Sequence, residues 1–470
     1  MGKRLFFRFL IIGIFSVLCV GAGPGGYSST TSTNNPINNN NTLIDKPKLE
    51  IRPFCAYRPR NKLVGTIASF PYSITNLHDA RHFAYHNNQS FLHISHPEVD
   101  LPESVHSNSK IRGEYGKQML QKFIAKRWLV KDQKPSFYVY ALEKKKSRHV
   151  GIIAEVALKN YDQGLIKRSE QIIPEKKKAL VEFIDIENVS VDPVILIYSP
   201  SQKIDQLVDF ITQQKPQQEF FSQDGNKHSL WLVQDTDTIE LLHYYFSLVP
   251  VTYIADGHHR TAAAHMLQEN RKAIKQKNKT YTGQEPFNYL LAALFPADQI
   301  EIYSYNRLIK NLNGLSKIDF LTKIKESFTV KRVSNTIQAN PTKTHCFGMF
   351  LGKQWFTLTV KKNIFEAYEN KPFQSLAMNI FNHLILQPIF NMHTKKADNI
   401  EFIGGENNLE KLEQECRDGK GKIAFALCPV SVKNFMELVE TDRLMPPKTT
   451  WFEPKMRLGL FVRPLDDKLN

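Results

Sequence analysis

The chain has 470 residues, of which 42% are hydrophobic and 23% are charged. This length exceeds what a single hydrophobic core normally organises, so two or more domains are expected, and the composition excludes a chain that is disordered throughout. The 62 lysine and arginine residues outnumber the 46 acidic residues and leave a net charge of +16, which suits phosphate-bearing ligands or nucleic acid.

The N-terminus has the build of a secretory signal peptide. Basic residues precede an apolar run from Phe9 to Val20, and small residues follow. The run is too short for a comfortable membrane span, so we predict a signal peptide at 1–22 and export or membrane association through it. The alternative is an uncleaved or misassigned start on a cytoplasmic protein. The Asn-, Ser- and Thr-rich segment that follows predicts a flexible linker at 23–48.

The five cysteines are scattered along the chain. None forms a CxxC pair or a zinc-finger spacing, which excludes a dense disulfide framework but leaves one or two bridges open.

Beyond the linker, short apolar runs typical of strands alternate with helix-like segments that carry apolar residues every three or four positions. Strands are predicted at 136–144, 149–158, 192–199 and 229–235, and helices at 115–129, 260–277 and 375–390. They interleave without the regular order of a doubly wound sheet, so we predict a mixed α+β fold. A polar hinge at 271–286 predicts an N-terminal domain at 49–275 and a C-terminal α+β domain at 285–470.

The stretch YIADGHHRTAAAHM, at 253–266, places polar and ionisable side chains between a predicted strand and a predicted helix. Gly257 permits a tight turn, and Thr261 is expected to cap the first turn of the helix. A helix N-terminus attracts anions, and His258, His259 and Arg260 would add donors for a phosphate. The sequence therefore predicts a nucleotide-binding turn.

Asp256 would repel a phosphate bound at this turn unless the carboxylate has its own task. Holding Mg²⁺, or accepting a proton from an attacking hydroxyl, would resolve the conflict and indicates phosphoryl transfer. The alternatives are a zinc site, although no HExxH spacing is present, or a plain helix cap beside buried histidines. The P-loop and dinucleotide-binding glycine motifs are absent.

The stretch YIADGHHRTAAA resembles the DGHHR signature of the ParB/sulfiredoxin-like superfamily, whose enzymatic members include free L-serine kinases. The resemblance is to a large, mostly uncharacterised bacterial and archaeal branch, and it covers about residues 50 to 465. Further stretches resemble that branch's landmarks in the same order, at 51–60, 90–102, 295–316 and 444–462. The resemblance implies a ParB-like nucleotide-binding module at about 160–275.

The resemblance also implies roles for individual residues. Asp256 would assist Mg²⁺ binding and catalysis, and the His-His-Arg residues of the signature would hold nucleotide phosphates. Glu170 matches a glutamate that activates the serine hydroxyl, while Ser169 replaces a histidine that the branch has beside it. Without the resemblance, Glu170 would be interpreted as an exposed acid paired with Lys167 or Arg168.

The implied activity is a Mg²⁺-dependent transfer of phosphate from ATP or ADP to the hydroxyl of serine or a similar small molecule. The alternative is a ParB-like nucleic-acid-associated or nucleotide-binding regulatory protein without kinase activity. The basic charge permits nucleic-acid binding, but no clear helix-turn-helix follows the signature helix. Lys448, Thr449 and Trp451, in MPPKTTWFEPK, are candidates to cover a nucleotide or substrate, or belong to a rigid docking segment.

Overall fold

The computed structural model describes residues 46–71, 74, 76–106, 108–391, 399–406 and 408–466. The described residues from Pro47 onward form one compact unit. The predicted signal peptide and residues 23–45 of the predicted linker lie outside the described residues. Within the described ranges, no helix combines the length and the apolar character that a membrane crossing requires.

The described α-helices are numbered α1 to α16 in chain order. They are α1 Val64–Ile67, α2 Leu77–Tyr85, α3 Leu92–Ser95, α4 Ser109–Ala125, α5 Lys159–Asp162, α6 Pro174–Glu187, α7 Gln202–Thr212, α8 Thr236–Ser247, α9 His258–Lys277, α10 Lys317–Ser327, α11 Thr336–Ala339, α12 Lys362–Phe365, α13 Ala377–Phe381, α14 Gln387–Phe390, α15 Asn408–Arg417 and α16 Val432–Glu440. A π-helical turn, Asn382–Leu386, joins α13 to α14.

The described strands are numbered in the same way. They are β1 Ile51–Arg52, β2 Tyr57–Pro59, β3 Leu129–Lys131, β4 Phe137–Glu143, β5 Arg148–Ala157, β6 Ile166–Lys167, β7 Val189–Ser190, β8 Val194–Tyr198, β9 Gln218–Phe221, β10 Lys227–Val233, β11 Thr252–Asp256, β12 Tyr289–Pro296, β13 Glu301–Ser304, β14 Asn306–Ile309, β15 Phe328–Val333, β16 Cys346–Leu351, β17 Gln354–Val360, β18 Ile400–Ile403, β19 Ile423–Leu427, β20 Thr450–Glu453 and β21 Arg463–Pro464.

The first sheet has the strand order β6-β11-β8-β12-β5-β4-β10-β9, with β1 added beside β5. Its pairings are parallel between β12 and β8 and between β11 and β6, and antiparallel elsewhere. Because β12 is apolar throughout and buried at every position, it is suited to the middle of a sheet covered on both faces.

The position of β12 differs from the predicted domain organisation. This strand follows the predicted hinge, yet it pairs with β8 on one side and β5 on the other. The first sheet therefore continues beyond the boundary predicted near 275–285, because the buried surface of the sheet requires this apolar strand.

The second sheet has the order β15-β17-β16-β19-β14-β18 and is antiparallel throughout. Its apolar core lies against α10 and the α13–α14 segment, with Phe320, Phe381 and Phe390 among the buried side chains. Helices and strands of both sheets thus confirm the predicted α+β fold.

The C-terminal segment 445–465 packs against one face of the first sheet and makes backbone contacts with earlier parts of the chain. The Met445 N–H donates to Ser169 O at 2.8 Å, Leu458 pairs with Ser69, and β21 pairs with β7. On the way, β20 pairs with β13. These backbone contacts bring a segment from the end of the chain against the loop that precedes α6.

Candidate functional site

The predicted strand-turn-helix is present, with β11 ending at Asp256 and α9 beginning at His258. Gly257 occupies the N-cap with φ of 102°, in the left-handed region that favours glycine. A Cβ there would lie only 3.0 Å from Val194 Cγ2 and 3.1 Å from Arg260 Cζ. No side chain of the described residues caps this end of α9, so its first-turn N–H groups remain available to an anion.

Thr261 does not cap the helix, so that prediction is wrong. Its buried hydroxyl donates to Gly257 O, one turn back, at 3.1 Å. A threonine inside a helix commonly bonds the carbonyl four residues earlier, and here the glycine takes the N-cap instead.

His258 faces Ser169 across the turn. The Ser169 N–H donates to His258 Nε2 at 3.1 Å, and Ser169 Oγ lies 2.9 Å from the same nitrogen. Burial lowers the pKa of His258 to about 4, so the imidazole is neutral near pH 7. Ser169 is therefore a direct partner of the first histidine of the turn.

His259 and Arg260 leave α9 on the side of Asp192. His259 Nε2 accepts from the Ile173 N–H at 3.2 Å, and burial lowers its pKa, so it too is neutral near pH 7. Arg260 donates to Asp192 O at 2.8 Å and to Pro193 O at 2.7 Å, and it pairs with the Asp192 carboxylate at 2.7 Å. Arg260 thus holds the loop before β8 against the turn.

Asp256 pairs with a lysine from the C-terminal segment. Lys455 Nζ lies 2.7 Å from Asp256 Oδ2, and Arg260 lies 3.6 Å from Asp256 Oδ1. Burial raises the pKa of Asp256, but Lys455 and Arg260 outweigh it and hold the pKa well below its usual range. The carboxylate is therefore ionised at neutral pH.

Glu170 is half-buried and lies in the electrostatic field of both Asp256 and Lys448. Burial raises its pKa to about 7, with Lys448 opposing the shift and Asp256 adding to it. Among the described residues, no side chain makes a hydrogen bond to its carboxyl group. Lys167 instead pairs with Glu440, and no ion pair of the described residues joins Arg168 to Glu170, so the interpretation of Glu170 as an exposed acid paired with Lys167 or Arg168 is wrong.

The C-terminal segment carries Lys448, whose positive charge opposes the rise in the pKa of Glu170. Lys448 Nζ donates to the Tyr305 hydroxyl at 3.3 Å and lies 4.8 Å from the centre of that ring. Burial of the ammonium group lowers the pKa of Lys448, although Glu170 opposes the shift. The charges of Glu170 and Lys448 thus act on each other, while burial raises the pKa of the carboxyl group and lowers that of the ammonium group.

Thr449 and Trp451 are turned inward. The Thr449 hydroxyl donates to Pro446 O at 2.7 Å, and the Trp451 indole N–H donates to Glu453 at 2.8 Å. The indole packs so closely on Gly404 that a Cβ there would lie 2.3 Å from the ring. Both side chains anchor the segment that carries Lys448 and Lys455.

Two residues of this cluster, Lys455 and Tyr305, were not identified from the sequence. Lys455 ends the stretch MPPKTTWFEPK, whose prolines and tryptophan were a usable signal for a rigid segment. Tyr305 lies between β13 and β14, within the stretch 295–316, but the sequence predicted no role for it. Burial raises the pKa of Tyr305, and the negative charges of Asp256 and Glu170 raise it further. This effect indicates that both carboxyl groups lie near the Tyr305 hydroxyl.

A cavity of about 480 Å³ lies between α6, α9 and the loop before β8. His259 and Arg260 line it, whereas Glu170 and Asp256 lie outside its lining. His259 and Arg260 therefore face the cavity. Asp256 lies on the other side of the α9 N-terminus, with Glu170, Lys448 and Lys455.

Comparisons with known proteins place the chain in a family. No curated protein matches it. Solved structures that are similar include a free serine kinase in complex with AMP (13% identity, 66% of this chain and 91% of that chain, TM-score 0.32). A conserved hypothetical protein from Pyrococcus furiosus is 14% identical over 67% of this chain and 95% of that chain, with a TM-score of 0.31. SbnI with a C-terminal truncation, from Staphylococcus aureus, is 11% identical over 67% of this chain and 87% of that chain, with a TM-score of 0.34.

The model of the family described as "Protein of unknown function (DUF1015)" matches residues 51–384, and the chain belongs to that family.

Proposed function

We propose that this protein is a Mg²⁺-dependent phosphotransferase that moves a phosphate from ATP or ADP to the hydroxyl of serine or a similar small molecule. The observation that carries the proposal is the state of Glu170, a carboxyl group with a pKa of about 7 and no hydrogen-bonding side chain among the described residues. The negative charge of Asp256, at the N-terminus of α9, and the positive charge of Lys448 both act on this carboxyl group. General bases work best when their pKa lies near the working pH.

The phosphates of the donor are assigned to the N-terminus of α9. Its first-turn N–H groups have no side-chain cap in the described structure, and the helix dipole favours negative charge there. Lys176 and His259 line the adjacent cavity and supply a cation and a neutral hydrogen-bonding group. Arg260 holds the loop that contains Asp192 against the N-terminus of α9 and thereby positions this part of the cavity wall.

The acceptor hydroxyl is assigned to the side of the turn that carries Glu170. In its deprotonated form Glu170 takes the proton from the hydroxyl, which makes the oxygen a competent nucleophile. Lys448 and Lys455 bring positive charge to the same region. Phosphoryl transfer depends mainly on such positioning and charge neutralisation.

Asp256 is the residue that would hold Mg²⁺. The described residues contain no cluster of three or more histidine, cysteine or acidic side chains suited to a metal. Mg²⁺ at nucleotide sites commonly takes one or two protein carboxylates and completes its shell with phosphate and water, so a single ionised aspartate fits this mode. The ion would neutralise charge on the phosphates. In the structure, the carboxylate of Asp256 pairs with Lys455.

The test is formation of phosphoserine by the purified protein with ATP or ADP, serine and Mg²⁺, with other small hydroxyl compounds assayed in parallel. Glu170→Gln should lower the rate by about 10²–10⁴-fold because the base is lost. Asp256→Ala and removal of Mg²⁺ by a chelator should abolish turnover. Asp209→Asn, an exposed acid on α7, is the matched control. Equal rates for Glu170→Gln and the unmodified protein would refute the mechanism.

A nucleotide-binding protein without kinase activity is the second candidate. It is favoured by the Lys455 contact, which already compensates Asp256, and by Ser169 in place of the branch's histidine. Calorimetry with ATP and ADP distinguishes the two. Nucleotide affinity without any phosphorylated product from the hydroxyl compounds would favour the second.

A further inference from the structure

We propose that Arg307, a buried arginine of the second sheet, is a positioning residue that holds Lys448 in place so that the positive charge of Lys448 acts on Glu170. The inference rests on the proposed function only where it concerns the rate of phosphotransfer. It assigns a role to a residue that lies outside both the turn at α9 and the cavity beside it.

Arg307 is a buried cation without an acidic partner. It lies on β14, an interior strand of the second sheet, and is 0% exposed. Burial lowers the pKa of Arg307 to about 9, so the guanidinium group keeps its charge near pH 7. Among the described residues it contacts two backbone carbonyls, Met378 Sδ and, at 4.5 Å, the ring of Phe402, and it forms no ion pair with a carboxylate.

This arrangement is a poor way to stabilise a core. A charge buried without an opposite charge is costly, and an apolar side chain of similar volume often leaves a protein equally or more stable. The hydrogen bonds of the Arg307 guanidinium group therefore account for its presence better than fold stability does.

The two carbonyl groups belong to Tyr305 and Lys448. One terminal nitrogen of Arg307 donates to Tyr305 O, and the other donates to Lys448 O at 3.1 Å. The side chains of the same two residues meet in the candidate site, where Lys448 Nζ donates to the Tyr305 hydroxyl at 3.3 Å across 143 positions of the chain. Because the guanidinium group is a rigid planar fork, it fixes both backbones relative to each other.

The backbone at Lys448 needs such a restraint. Its φ is 60°, in the left-handed region that is sparsely populated by residues with a Cβ. Strained backbone of this kind persists only where the surroundings hold it, and it is concentrated at functional sites. Loss of the Arg307 contact should therefore let the backbone relax and carry the ammonium group of Lys448 away from Tyr305.

The position of Lys448 matters to the proposed base. Its positive charge opposes the rise in the pKa of Glu170, as do the charges of Lys176 and Lys455, whereas Asp256 adds to the rise. If Lys448 moves away, only the other two lysines oppose burial and Asp256, so the pKa of Glu170 should rise further. A rate that depends on the deprotonated carboxylate then needs a higher pH.

The test measures phosphotransfer against pH in Arg307→Lys and Arg307→Met. The lysine keeps a positive charge but cannot bond both carbonyls in the same geometry, and the methionine removes the buried charge. In both variants the pH of half-maximal rate should rise by about 0.5–1 unit, while KM for the nucleotide stays nearly unchanged. Arg332→Lys, an exposed arginine on β15 of the same sheet, is the control and should show no shift.

A second comparison separates positioning from a general loss of structure. Both substitutions are repeated in Lys448→Met, and thermal unfolding checks that each variant is folded. If Arg307 acts through Lys448, the shift in the pH profile should disappear when Lys448 is already absent. A shift of equal size with and without Lys448, or no shift in either folded variant, would overturn the inference.

The pKa of Lys448 gives a measurement that needs no turnover. Lys448 is an exposed residue, so the pH dependence of its acetylation by acetic anhydride, followed by mass spectrometry, reports this pKa. Burial lowers the pKa of Lys448, and both Arg307 variants should raise it as the ammonium group leaves Tyr305. A raised pKa of Lys448 in a protein that forms no phosphoserine would refute only the kinase. Phosphoserine formation with an unchanged pKa of Lys448 in both variants would refute only the role of Arg307.

Discussion

Lys455 Nζ lies 2.7 Å from Asp256 Oδ2 and joins the C-terminal segment to the turn at the head of α9. The two residues are 199 positions apart in the chain. The lysine side chain is 8% exposed and the aspartate side chain 29%, so the pair is partly shielded from water. The contact lowers the pKa of Asp256 and so favours its ionised form. It also places Lys455, in addition to Lys448, near the proposed position of the transferred phosphate.

Substitution of Lys455 by methionine should weaken both the fold and the activity. Asp256 would lose its nearest cation and keep only Arg260 at 3.6 Å, so the free energy of unfolding should fall by about 1–3 kcal/mol. Phosphoserine formation should also fall, with partial recovery in Lys455→Arg, which keeps the charge. Denaturant unfolding and the kinase assay measure the two effects. Lys433→Met, an exposed lysine, is the control, and equal stability of both variants would contradict a structural role for the pair.

The rate of phosphotransfer should depend on pH through Glu170. Its pKa is raised to about 7, and only the deprotonated carboxylate accepts a proton. The rate should therefore rise as the pH increases from 6 to 8 and level off above that range. Rates at saturating nucleotide and acceptor, measured across this range, give the apparent pKa. A rate that is flat, or that falls, over this interval would exclude Glu170 as the base.

Arg260→Lys should reduce nucleotide affinity although it preserves the charge. The guanidinium group bonds two backbone carbonyls and the Asp192 carboxylate together, which a lysine ammonium cannot reproduce in the same geometry. Loss of this clamp should loosen the loop before β8 and weaken ADP binding by about tenfold. Calorimetry measures the change, with Arg271→Lys on the same helix as the control. A larger loss in Arg271→Lys than in Arg260→Lys would argue against the clamp.

Gly116→Ala should displace the buried side chain of Glu187. An added Cβ would lie 2.0 Å from Glu187 Oε1 and 3.0 Å from Ile94 O, so the glutamate side chain has to move. We expect a loss of about 1–3 kcal/mol in stability, as for other overpacked sites, measured by denaturant unfolding. Gly65→Ala is the control because its Cβ would meet no atom closer than 3.7 Å. Equal stability of Gly116→Ala and Gly65→Ala would show that the structure accommodates the added Cβ at Gly116.

Local features of the fold could be predicted because they depend on residues that are neighbours in the chain. The apolar, β-branched run before Asp256 and the alanines after Arg260 indicate a strand and a helix, and both are present as β11 and α9. The glycine between them accounts for the turn, since its positive φ suits that residue. Thr261 shows the limit of this approach, because its place within the first turn was correct while its hydrogen bond was not.

The sequence by itself determined the strand, the turn and the helix, and with them the positions of Asp256 to Arg260 along the chain. Only the tertiary structure decided what surrounds them. Lys455 and Tyr305 approach because β20 pairs with β13 and the C-terminal segment packs against the first sheet. The strand β12 joins that sheet from beyond the predicted hinge. Such pairings follow from the burial of apolar surface between distant segments, which no local period of hydrophobic residues specifies.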